Sequence, residues 1–330
     1  MRHRLILLAA AAGCAVLAPQ LMAAPALASD AAAAPVIADP ALARLVDDYW
    51  AMVMKEAPLF ASSLGIGSYA REVGDYSLAG ADRQAAFAAD LLKRLDTIDT
   101  AALSASDRVN HGILRRTLVE TVEGNKFGQR TMNFTNRSGW HQDFAGMGDN
   151  LPFKTKADFE SYNARLAQFP RVNAQAIAVA NEAIKGGYTL PCDSLGGYEG
   201  SITGLIADDP RKTRFFNPYN GKRPDAVSEA DFKALGDAAE VTIRDVIYPE
   251  LRKQADWYSK GYKPACARDP GISAQPGGAA YYDYRIRQMT TTNMGAEEIH
   301  QLGLSEVARI RKEMEVVATK AGFPTREAFI

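Results

Sequence analysis

At three places where a loop-like stretch ends, a hydroxyl residue is followed, three positions later, by an aspartate, and apolar residues at helical spacing come next. The three are Ser104-x-x-Asp107, Thr155-x-x-Asp158 and Ser228-x-x-Asp231. The hydroxyl accepts from an unpaired backbone N–H at a helix start, and the acid can bond back to the cap, so each reads as a helix opening. Asp39-Pro40 is a further start, an N-cap before proline at the first helical position. Pro170, Gly186-Gly187, Gly322 and Pro324 act as stops. A chain punctuated this way is predicted to be mainly α.

The spacing predicts helices from Pro40 past Met54, over 81–95 and 104–123, from 155 to 170 and on to 184, from 228 to 258, and over 296–321. Pro249 is expected to kink the fifth of these. Residues 57–80, 124–152, 190–224 and 261–278 are predicted to be long loops, punctuated by Gly, Pro or Asn. The Tyr- and Thr-rich run 281–292 is read as a short strand.

Hydrophobic residues make up 47% of the 330 and charged residues 23%, enough for a sizeable core. The formal net charge is -1 and no basic patch stands out, so nucleic acid is excluded as an expected partner. Past the N-terminus no apolar stretch is long enough to span a membrane. Residues 1–28 read as an export signal. Arg2, His3 and Arg4 precede the apolar run Leu5–Ala18, and Ala26-Leu27-Ala28 is a small-residue cleavage site. A lipid anchor at Cys14 is the competing reading. Residues 29–39, rich in Ala and Pro, are expected to form a flexible leader. The protein is therefore expected to be exported, periplasmic or extracellular. There Cys192 and Cys266, which lack the spacing of a zinc-thiolate site, are expected to pair as a disulfide.

Signatures of catalysis are sparse. There is no HExxH pair and no G-x-S-x-G elbow. Gly196–Gly204 and Gly146–Gly148 are glycine-rich but lack the order of a phosphate-binding fingerprint. Glu297, Glu298 and His300 cluster in the first turn of the last long helix, where acids complement the helix end. His141 lies in a loop, and His111 reads as a surface or boundary residue in mid-helix. No catalytic or metal-ligating residue is assigned. The aromatic and arginine run is the best candidate for substrate contact. Tyr281, Tyr282, Tyr284, Arg285 and Arg287 suit peptide carbonyls or a carboxylate, the competing reading being that alternate Tyr pack in a core.

That run begins the segment Tyr281–Val317, YYDYRIRQMTTTNMGAEEIHQLGLSEVARIRKEMEVV. Its aromatic residues, Arg, Thr triplet and EEIHxLGLxEVxRI resemble a segment of the bacterial secreted family known as domain of unknown function 885. Pro58 to Gly65, DFESYNARLAQFP at 158–170, and the region of Gly187 and Pro191 follow the same order. The resemblance implies a helical zinc-peptidase architecture, similar to carboxypeptidase Taq-type enzymes, with an HExxPGHH-type motif well downstream of the shared segment. This chain reaches Ile330 without that motif. The resemblance thus implies that 40–330 is the N-terminal part of one helical peptidase-like domain, truncated before the catalytic half and inactive alone. Zinc and a peptide substrate are expected only for a full-length form. The alternative is a non-catalytic periplasmic binding module that keeps the helical shell.

Overall fold

The computed structural model describes residues 37–330. The export signal 1–28, Cys14 and most of the 29–39 leader lie outside the described residues. At its end Ala38 and Asp39 donate their N–H groups to the Asp107 carboxylate. Among the described residues the chain is helical with no sheet.

The first layer joins α1 (Pro40–Glu56), α2 (Pro58–Ser63), α3 (Leu78–Leu95) and α4 (Ala105–Gly124). Asp39 caps α1 through the N–H groups of Ala41 and Leu42, and Ser104 caps α4 through that of Asp107. Leu42 and Leu45 of α1 pack on Leu91 and Leu95 of α3 and on Leu114 and Leu118 of α4, an aliphatic core. His111 is buried here, not at the surface as its sequence position suggested, with Nε2 3.3 Å from the Leu95 carbonyl oxygen.

The second layer holds α5 (Trp140–Ala145), α6 (Lys156–Leu166), α7 (Phe169–Gly186), α8 (Tyr198–Thr203), α9 (Asn217–Asn220), α10 (Glu229–Thr242) and α11 (Tyr248–Trp257). Thr155 and Asp158 form the reciprocal capping box at α6. Pro170 starts α7 rather than only ending α6, because a first-turn proline lacks an N–H that would have had no partner. Gly187 closes α7 at φ 75°, a conformation glycine adopts without penalty. The core is aromatic. Phe134 meets Tyr198 at 4.4 Å and Tyr262 at 4.6 Å between ring centroids.

Three loop expectations are corrected, at 57–80, at 124–152 and at 190–224, the last holding α8 and α9. Residues 57–80 contain α2 and a 3-10 turn at Gly67–Tyr69. They are ordered by Arg165, which is 2% exposed. Its guanidinium donates to the carbonyls of Glu72, Pro58 and Tyr69 at 2.8, 3.2 and 3.1 Å, and to Ser62 Oγ at 2.6 Å. Burial pushes this guanidinium down to about 10, with Glu72 opposing. Residues 124–152 contain α5, too short to show a period. From α10 the helix runs on through π-helical turns at Ile243–Ile247 and Tyr258–Tyr262. Pro249 sits in the first turn of α11, where the wider turn before it accommodates its missing donor.

The strand expected near 281–292 is a helix, α12 (Gly278–Thr290). Tyr281 and Tyr284, three apart, both pack on Phe127, a helical spacing that outweighs the β preference of Tyr and Thr. After Thr291, at φ 62°, come α13 (Ala296–Lys320) and α14 (Arg326–Phe329). Of α13 only Ala318 is buried.

Cys192 and Cys266 form a disulfide with Cα atoms 5.1 Å apart. Around it Cys192 N–H donates to the Ala267 carbonyl and Ala267 N–H to that of Leu190, at 2.9 and 3.0 Å. The cysteines are 74 residues apart, which in the chain-entropy model stabilises by ~4 kcal/mol. We expect reduction, or a Cys192→Ser/Cys266→Ser variant, to lower the thermal midpoint by several degrees. A thiol assay on the denatured, unreduced protein should find neither thiol.

Arg165→Met should cost about 3 kcal/mol or more in urea unfolding, because four acceptors lose a charged donor. Protease cleavage within 58–72 should rise in parallel.

Candidate functional site

A cavity of about 870 Å³ opens between α2, α5 and α8. Leu59 and Phe60 of α2 line it with apolar surface, as do Met147, Leu151 and Leu205. Arg165 fixes α2 through Pro58 and Ser62, so this buried cation sets the wall's position. The polar lining comes from Arg137, Gln142, Asp143, Ser201 and Arg214. Arg214 is already engaged, by two donors to Asp149. Burial raises the Asp143 carboxyl above its ordinary range, and Arg214 opposes the shift.

Behind the cavity lies His141, fully buried. Gln254 Nε2 donates to His141 Nδ1 at 3.0 Å, which leaves the ring proton on Nε2. That nitrogen donates to Ser201 Oγ at 2.9 Å, and the Ser201 hydroxyl donates to the Tyr198 carbonyl at 2.6 Å. The direction of these bonds decides their chemistry. With the Gln254 amide oriented this way, His141 gives a hydrogen bond to Ser201 instead of drawing a proton from it. It holds Ser201 at the cavity floor. Gly139 lies so close that a Cβ there would stand 2.9 Å from His141 Cε1.

The arginines and tyrosines singled out from the sequence are elsewhere, on α12 against α4. Tyr284 is buried and its hydroxyl donates to the Glu120 carbonyl at 3.0 Å. Arg287 pairs with Glu123, and Arg116 donates to the Gln288 carbonyl at 2.7 Å. Tyr282 and Arg285 remain exposed on the outer side, with the Arg285 guanidinium near Met289 Sδ. None of the four lines the cavity. Its residues were hard to find in the sequence because they come from short helices without a period. The one signal was Trp140-His141 beside the Gly146–Asn150 turn.

His300 stands exposed in the first turn of α13. Among the described residues no three of His, Cys, Asp and Glu are grouped to hold a metal ion. No helix of the described residues is long and apolar enough to cross a membrane.

The fold and the sequence agree with a known family. The family model described as "Bacterial protein of unknown function (DUF885)" matches residues 58–330, and the chain belongs to this family. A solved structure, titled "The crystal structure of the putative lipoprotein from Colwellia psychrerythraea", is similar with a TM-score of 0.75 and 21% identity. The match covers 87% of this chain and 53% of that one, so the chain spans about half the length of that structure. No curated protein matches the chain.

Burial holds the His141 imidazole down to about 4, from an ordinary 6.5. As pH falls the unfolded chain therefore takes up this proton before the folded one. We expect stability to be independent of His141 above about pH 6.5, to fall between there and about pH 4, and to level off below. The loss should reach about 3 kcal/mol. Urea midpoints across this range check it, and His141→Gln should remove this part of the slope.

Proposed function

We propose that this chain is the N-terminal half of an exported, metal-dependent peptidase of this family, without activity by itself. The observation that carries the reading is α13. Leu302, Val307, Ile310, Met314 and Val317 lie along one side of this helix, and each is between 37% and 54% exposed. An apolar stripe of that length calls for a covering partner. The solved relative, of which the match covers 53%, has the chain length to provide one. The peptidase chemistry rests on the resemblance of Tyr281–Val317 to the family's shared segment. Tyr282 and Arg285, exposed on α12 ahead of this stripe, are the side chains proposed for substrate contact. Export rests on the basic, apolar and small-residue order of residues 1–28. The relative's title lends support to the lipid-anchor reading at Cys14.

The cavity favours a second reading, a non-catalytic periplasmic binding module, because described residues of this chain line it with both apolar and charged side chains.

Two measurements test the half-domain reading. Ile310→Glu with Val317→Glu should leave the thermal midpoint almost unchanged, as exposed substitutions do, and should lower self-association in sedimentation. A collapse of the midpoint would mean the stripe is packed within the chain and would remove the support. Metal analysis after dialysis, beside a peptidase assay, should find no tightly held zinc and no cleavage by this chain. One zinc equivalent with chelator-sensitive cleavage would overturn the assignment of inactivity.

A further inference from the structure

The cavity between α2, α5 and α8 holds two opposite charges that do not use each other. Among the described residues neither the Arg137 guanidinium nor the Asp143 carboxylate has an ion pair or side-chain hydrogen bond, although both line the same space. The other nearby ions are engaged, Arg214 with Asp149. Beside Asp143, the Oε1 of Gln142 is buried and has no hydrogen-bond partner. A buried acceptor left unpaired costs about 1–3 kcal/mol, so its position calls for a donor. Leu59 and Phe60 line the same cavity and present apolar surface. The volume, about 870 Å³, falls within the range of roughly 300–1,000 Å³ that small-molecule sites occupy.

We infer that this cavity binds a short zwitterion with an apolar body, the chemistry of apolar amino acids and their dipeptides. Its ammonium group bonds Asp143, its carboxylate meets Arg137, and its side chain lies against Leu59 and Phe60. A simple anion would leave Asp143 unanswered, and a simple cation would leave Arg137 so. The inference rests on neither functional reading above, since it asks only that the described residues fold and bind.

The test is isothermal titration calorimetry on the full chain with L-leucine and L-leucyl-L-leucine, two spans between the same charged ends. At least one should bind. Its N-acetylated and carboxyl-amidated forms should each bind tenfold or more weakly. Asp143→Asn should abolish the preference for a free ammonium, and Arg137→Gln the preference for a free carboxylate. Both side chains are exposed, so both variants should melt as the unmodified chain does. No binding by either compound to a cooperatively melting chain overturns the inference. So does binding that blocked ends or both substitutions leave unchanged. The zinc and peptidase assays above can fail independently of this result.

Discussion

One guanidinium organises the ground on which the cavity stands. Arg165 is buried on α6, and a buried charge is tolerated only where partners meet its donors. Here no carboxylate meets them. Three backbone carbonyls and a serine hydroxyl do, drawn from the fifteen residues 58–72 that hold α2 and a 3-10 turn. Further along the same helical run Gln168 bonds the Arg71 carbonyl, and Arg171 bonds those of Val73 and Gly74. These three side chains read out the backbone of 58–74 and fix it against the second layer. The dependence is mutual, because without that segment Arg165 would be an uncompensated buried cation.

The two cores differ in character, and the difference suits their positions. The α1, α3 and α4 layer is aliphatic and regular, with leucines at helical spacing. The layer around the cavity is aromatic and threaded with polar links. Trp140 bonds Asn173, which bonds Glu250, while His141 joins Ser201 to Gln254. Large rings bridge short helices that have too few turns for a stripe of their own. Their polar edges then fix orientation, as networks do when each bond is directional.

How much was legible follows the same division. Helix starts were readable wherever a cap and its acid are adjacent in sequence, as at Ser104, Thr155 and Ser228. The disulfide followed from two cysteines left in a chain whose sequence reads as exported. The segment 57–80 was misread because its order comes from Arg165, some hundred residues away, and no local pattern carries that. The run 281–292 was misread for a related reason. Its Tyr and Thr favour strands, yet Phe127, distant in sequence, pairs with Tyr281 and Tyr284 in a way only a helix allows. The cavity was the least legible part. Arg137, Gln142, Asp143 and Ser201 gain their meaning from lacking or finding partners in three dimensions.

The two π-helical turns between α10 and the end of the long helix have a consequence for its phase. The buried residues Gly236, Ala239, Ile243, Ile247, Leu251, Gln254, Tyr258 and Tyr262 span seven helical turns. In an unbroken α-helix of 3.6 residues per turn, that stripe would rotate by roughly 80° away from the core over its length. Wider turns advance less angle per residue and take up the drift. The helix is thus tuned to length. Removing one residue from 243–247 would turn everything downstream by about 100°. Gln254 would leave His141, and the Tyr262 hydroxyl would leave the Leu190 N–H beside the disulfide. A lesion in one turn would be felt at the cavity floor and at the covalent link together.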